Sequence, residues 1–236
     1  MLVSQAIEGM MKPEEFEECK KIYLYEDFMQ IGLKYDNLSM EDYEEFIPIL
    51  FEIVPKREEK DPILMYERII EELRKCWVAS EHLPFHGPWH HGLVAGMLIA
   101  SLKNSGYDFS EADIKEALKR GLMVPAGGCG FLGICGAGTG IGIAMSIISK
   151  STPFHDEERT KALESASEAI RRIARLGGPR CCTLSTYTTL NLAIMELKKM
   201  GYELPKSKVT GRCKSYQLND QCHGSKCPYH PRSKSG

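Results

Sequence analysis

Seven of the nine cysteines in this 236-residue chain lie after residue 128, at Cys129, Cys135, Cys181, Cys182, Cys213, Cys222 and Cys227. They stand among glycines or beside one another. The first residues, Met1-Leu-Val-Ser-Gln-Ala-Ile-Glu8, lack a basic stretch followed by an apolar run. The sequence therefore reads as cytoplasmic, where thiols stay reduced. Thiols this dense in a reducing compartment suit a metal or an inorganic cluster better than a disulfide framework.

At 43% hydrophobic residues the chain can bury a core without covalent staples. Charge is unevenly placed. Residues 1–75 carry 19 Asp/Glu against 10 Lys/Arg, whereas residues 206–236 carry seven Lys/Arg against Asp220 alone. A basic tail can meet an anionic partner such as RNA, or can simply keep itself solvated. Residues 121–149 are uncharged and long enough to cross a bilayer, but nine of the residues from 121 to 142 are glycine. No aromatic belt marks an insertion site, so this stretch reads as a buried helix and no membrane partner is expected.

Helical patterns dominate and two-residue alternation is scarce, which predicts an all-α fold. Pro13 with Glu14, Glu15, Glu17 and Glu18 opens a helix running to about residue 35. Ser39 caps a second helix that Pro48 shortens or bends, and Asp61-Pro62 opens a third. From about 88 to 104 the pattern is apolar nearly all round, which belongs in an interior. Ser110 and Asp113 form a capping box for 111–121. A glycine-rich helix over 134–149, a charged one from Thr152-Pro153 to about 176 and a last one over about 184–200 complete the set. The two apolar helices, 88–104 and 134–149, would form the centre. The chain thus divides into an acidic helical part (1–80), a core bearing Gly, Cys and His (81–204) and a basic Cys-rich tail (205–236).

Four stretches can carry chemistry. His86-Gly-Pro-Trp-His90-His91 precedes and opens the first apolar helix, where free N–H groups and a partial positive charge favour an anionic ligand. His86, His90 and His91 are candidates for acid/base work, although adjacent His90 and His91 point about 100° apart on a helix. Gly127-Gly128-Cys129 continues to Cys135-Gly136. Here bare glycine backbone can approach a ligand, and Cys135 can sit at a helix start that stabilises a thiolate. No strand precedes this glycine run and no Lys-Ser/Thr follows, so it is not a nucleotide phosphate loop. In Gly177-Gly-Pro-Arg180-Cys181-Cys182, the arginine can hold an anion and lower a neighbouring thiol pKa. The tail spacing Cys213-x8-Cys222-x4-Cys227-x2-His230, with His223 as an additional candidate, offers three thiols and an imidazole where little core exists. A bound ion there would contribute much of the folding free energy.

These blocks resemble an uncharacterised family of bacterial and archaeal proteins, common in anaerobes. The family carries HGPxHH, GGxCGxxGxCGA, GGPRCC and a terminal CxGxxCPY, and is often linked to SAM-dependent methyltransferase-like proteins. The matching residues run from His86 to His91, Gly127 to Ile143, Gly177 to Cys182 and Cys222 to Tyr229. The resemblance implies a cysteine-dependent protein of anaerobic metabolism and a methyltransferase-type partner, but no defined reaction. A fainter similarity is to the iron–sulfur serine dehydratases and cysteine desulfidases.

The sequence-level expectation is an iron–sulfur protein, with zinc as the alternative cofactor. Its metal ligands would come from Cys129, Cys135, Cys181, Cys182, Cys213, Cys222, Cys227 and His230. Catalytic groups would come from His86, His90, His91 and Cys135, and Arg180, Gly127 and Gly128 would hold a small anionic substrate. Lyase or sulfur-transfer chemistry fits that set. The alternative is a zinc-binding accessory protein that meets RNA, tRNA in particular, through its tail.

Overall fold

In a computed structural model the described residues, 25–36, 38–77, 83–206 and 212–233, are all-α and contain no strand. The helices are α1 (Tyr25–Lys34), α2 (Met40–Ile53), α3 (Pro62–Cys76), α4 (Trp89–Asn104), α5 (Glu111–Leu122), a single turn α6 (Gly128–Phe131), α7 (Gly136–Ile148), α8 (Asp156–Leu176) and α9 (Cys182–Lys199). No helix among the described residues is long and apolar enough to cross a membrane. The part of the expected first helix before Tyr25 lies outside the described residues.

Local chemistry sets the helix starts. Ser39 and Ser110 each accept from the backbone of an Asp three residues on, and that Asp accepts from the Ser backbone in return. Asp61 caps α3 through Ile63 N–H at 2.8 Å, with Pro62 in the first turn. α2 runs through Pro48 to Ile53 rather than ending there. α8 begins at Asp156, after His155, and not at Pro153; its first turn is Asp156, Glu157 and Glu158, which suits the positive end of the helix.

α4 is buried continuously from Trp89 to Leu102, as its unbroken apolar sequence requires. α7 packs against α4 on one side and α8 on another, with α5 and α9 beside it. Its glycines permit this. A Cβ on Gly140 would lie 2.7 Å from Val94 Cβ, and one on Gly142 would lie 2.7 Å from the Ala162 carbonyl oxygen. Burial of both predicted central helices is observed, but a third joins them. α9 is buried from Thr183 to Leu190 and again at Leu192, Ala193 and Leu197. Two of its hydroxyls are absorbed by its own backbone: Thr188 donates to the Leu184 carbonyl at 2.8 Å and Thr189 to the Ser185 carbonyl at 2.9 Å.

The tail has no long helix among its described residues, only 3-10 turns at Tyr216–Leu218 and Gly224–Lys226. It folds back onto α3 and α9. Tyr229 stacks on Tyr187 at 5.1 Å, and its hydroxyl donates to Thr188. Lys214 pairs with Glu67 and Glu71 at 3.2 Å each, and Arg74 donates to Ser215. Part of the basic tail thus finds its anionic partner within the same chain.

Replacing Gly140 with valine will cost roughly 1–3 kcal/mol by overpacking against Val94, read as a lower urea midpoint. Gly130→Ala, where a Cβ meets nothing within 4 Å, is the control and will leave the midpoint nearly unchanged.

Candidate functional site

The chain entering α9 separates two compartments. The first is an apolar recess of about 340 Å³, mouth included, under the tail. Cys181, Cys213, Cys222 and Cys227 all line it, with His223 and His230. Three of these thiols come from the tail and the fourth is the N-cap of α9, so the recess exists only where the tail meets the helix start. Backbone donors face the sulfurs: Leu184 N–H reaches Cys181 Sγ and Gly224 N–H reaches Cys222 Sγ, each at 3.4 Å. The Cys213 amide also bonds the Tyr229 carbonyl at 2.7 Å, closing the tail into a loop around the recess.

Burial pushes the Cys181 thiol up to about 12 and Cys213 up to about 11, and the other tail thiols reinforce both shifts. Cys227 is raised for the same reason. Four sulfurs gathered in grease cannot all ionise unless positive charge joins them, and metal binding supplies that charge while releasing protons. The four cysteines share this lining with apolar and polar neighbours such as Phe85, Leu184 and Asn219. Among the described residues no three His, Cys, Asp or Glu side chains converge as a single ion would require.

The two expected histidines of the tail have other contacts as well. His230 is buried against Tyr216, and its Nδ1 accepts from Arg232 N–H at 3.1 Å. His223 donates through Nε2 to the Pro179 carbonyl at 3.0 Å and fills the space where a Cβ on Gly178 would sit. Gly178 has φ +78°, so glycine is required there both by its backbone and by that ring.

The second compartment is an open cleft of about 910 Å³, mouth included. His91, Cys129, Cys135, Arg180, Cys181, Cys182 and Ser185 line it, over an apolar floor that includes Ala137, Ile173 and Leu184. The starts of α7 and α9 both border it, since Cys135 is the N-cap of one and Cys182 the first residue of the other. Arg180 is held by Asp36 and by the Tyr35 carbonyl. Desolvation raises Asp36 above the usual carboxylate range despite the opposing pull of Arg180. Arg180 in turn lowers the proton affinity of His86 and His91.

Adjacent Cys181 and Cys182 are therefore not equivalent. Cys181 stands in the wall between recess and cleft, whereas Cys182 faces the cleft alone. Burial pushes the Cys182 thiol far up despite the nearby Arg180 charge, against the sequence expectation of a lowered pKa. Cys129 is exposed and Cys135 half-buried at the cleft; neither joins the four sulfurs of the recess. Gly127 and Gly128 do not line the cleft, although Gly130 does. Gly127, at φ +72°, instead makes a turn packed on Phe131 and Gly32.

The three histidines of the first motif part company. His86 Nδ1 faces the Cys182 amide at 3.5 Å. His90 points into the core beside Tyr66 and Trp89, away from the cleft. His91 reaches the cleft, and its Nδ1 lies 2.9 Å from the Val124 carbonyl. A carbonyl only accepts, so Nδ1 carries the proton in the neutral ring and Nε2 keeps its lone pair. The ring fills the space beside Gly136: a Cβ there would lie 2.1 Å from His91 Cγ and 2.4 Å from Cδ2.

Desolvation pushes His86 and His91 down to about 4 and His90 down to about 3, from an ordinary value of 6.5. Below pH 6.5 the unfolded chain gains protons that the folded chain refuses, so stability falls with pH until the folded values are reached. Urea unfolding will show the loss between pH 6.5 and about 4, at about 1.4 kcal/mol per pH unit for each histidine fully titrating in the unfolded state only. His90→Phe will flatten that slope.

Residues 50–230 match the model of DUF5714, a family of unknown function. No curated protein and no solved structure matches the chain.

Proposed function

The chain belongs to the DUF5714 family, and we propose that it is a cysteine-dependent iron–sulfur protein whose open cleft handles a small anionic substrate. One observation carries the reading: Cys181, Cys213, Cys222 and Cys227 surround a single apolar recess. Four thiols are the usual donor set of an iron–sulfur cluster, and N–H groups directed at the sulfurs are the usual means of tuning one.

When bound, such a cluster supplies electron transfer and a fixed seat for the tail; with four cysteines engaged, no iron is left open to substrate. Chemistry on the substrate then falls to the cleft. The starts of α7 and α9 provide positive potential for a carboxylate or phosphate group, and Arg180 lines the same cleft with its charge paired to Asp36. Thiols and an imidazole stand beside that potential, and sulfur transfer is the reaction class that uses them most directly.

A second reading keeps the recess but fills it with zinc, making the protein an RNA-binding accessory factor. Exposed Lys206, Lys226 and Arg232 favour it, whereas the pairing of Lys214 with Glu67 and Glu71 removes one of the tail's charges from that role.

Anaerobic purification followed by iron and acid-labile sulfide analysis separates the readings. Iron and sulfide will be present in the native chain, lost in C213S, C222S and C227S, and retained in C129S. Stoichiometric zinc together with salt-sensitive tRNA binding would establish the second reading instead. Protein without iron, even after reconstitution, sinks the first. Loss of the centre will also expose residues 212–233 to proteases, because little apolar core holds them.

A further inference from the structure

We infer that His223 is a positioning residue for the cleft: through it, with Asn219, the docked tail sets the wall on which Arg180 and Cys182 stand. This rests on the cleft as the substrate-facing compartment and not on what fills the recess.

The wall is the connection from α8 to α9, residues 177–182, and every one of these residues lines the cleft. Its own sequence does little to stiffen it. Gly177 and Gly178 are consecutive left-handed glycines, at φ +60° and +78°, and glycine has the widest backbone freedom of any residue. Gly177 N–H reaches the Ala174 carbonyl at 3.1 Å, and Ser185 N–H reaches the Cys181 carbonyl at 3.0 Å. Both bonds tie the ends of the segment, where it leaves α8 and enters α9. Between those ends the wall takes its support from distant segments.

On one side, Asp36 and the Tyr35 carbonyl hold Arg180. The tail supplies the other side. His223 donates through Nε2 to the Pro179 carbonyl at 3.0 Å. Its ring also occupies the space beside Gly178, where an added Cβ would lie 2.2 Å from Cε1 and 2.4 Å from Nε2. Asn219 is the second tail contact. Its Oδ1 accepts from Gln221 N–H at 3.0 Å, which orients the amide, and its Nδ2 faces Cys181 Sγ at 4.0 Å. Asn219 also interacts with the side chain of His86, whose Nδ1 faces the Cys182 amide at 3.5 Å.

His223 follows Cys222 directly, and both line the recess. Whatever orders the recess therefore orders the ring that holds Pro179. Lys214 and Tyr229 anchor the same tail to α3 and α9. Tail docking and the shape of the cleft are thus one event. Release of the ring frees the two glycines to rotate, and Arg180 and Cys182 then lose their fixed spacing in the cleft.

Alkylation of Cys182 by iodoacetamide in the full-length chain reads the wall directly. It is followed by mass spectrometry, with exposed Cys129 as the internal reference. The sulfur–carbon bond forms, iodide leaves and the thiol proton passes to solvent. His223→Ala will speed Cys182 about fivefold, the effect of removing one hydrogen bond from the closed wall, and will leave Cys129 unchanged. His223→Gln, which keeps an N–H donor at similar reach, will return Cys182 toward the native rate. Gly178→Ala drives the ring off the wall. It will speed Cys182 more in the native chain than in the His223→Ala background, because the two changes break one contact.

Should these variants unfold, hydrogen exchange in the native protein decides the question. Peptides covering 178–184 and 213–230 will open as one unit, with the same dependence on urea. An unchanged Cys182 rate in folded His223→Ala overturns the inference. So does failure of His223→Gln to recover the native rate, full multiplication of the two single effects in the double variant, or a wall that opens at lower urea than the tail. Iron and sulfide content measured on the same samples keeps this outcome separate from that of the recess.

Discussion

The close approach of α7 to its neighbours is the constraint on which the rest depends. Where Gly136, Gly140 and Gly142 lie, any side chain would strike His91, Val94 or the Ala162 backbone. The absence of Cβ atoms lets α7 settle between α4 and α8, and this fixes the start of α7 beside the start of α4. Cys135 and His91 come to one cleft as a result. Glycine weakens a helix by about 1 kcal/mol per residue relative to alanine, so this contact has to be offset by packing across both faces.

A second constraint is electrostatic. The tail brings Lys214 to Glu67 and Glu71, and Tyr229 to the face of Tyr187. Tyr187 in turn donates to Glu67 at 3.2 Å, so the acidic helix, the buried hydroxyl helix and the tail share one network. The acidic front and basic end of the chain, which look unrelated in sequence, are partly complementary surfaces of the same fold. This docking carries three tail thiols to Cys181.

Much of the architecture was legible beforehand. The unbroken apolar run from Leu93 to Ala100 could only be interior, and Ser39-Asp42 and Ser110-Asp113 announced their helix starts. α9 was not legible as a central helix, because Thr183, Ser185, Thr186, Thr188 and Thr189 read as polar. Thr188 and Thr189 are spared that cost by donating to carbonyls four residues back. Helix geometry foretold that His90 and His91 would diverge, but which of them meets the cleft depends on where α7 lies. The separation of Cys181 from Cys182, and the claim of Asp36 on Arg180, arise from contacts between distant segments. An Asp in the acidic N-terminal stretch gave no sign that it would clasp a residue 144 positions away.

Because Cys181 and Cys182 are consecutive, one peptide unit forms part of the partition between recess and cleft. Cys181 holds its place through the Leu184 amide, and the Cys182 amide faces His86. A backbone rotation at Cys181 that carries its sulfur to a new place swings the Cys182 amide too. The two chambers are thus geared together by covalent geometry alone, and a disturbance at the tail has a route to the far side of the wall that requires no helix to slide.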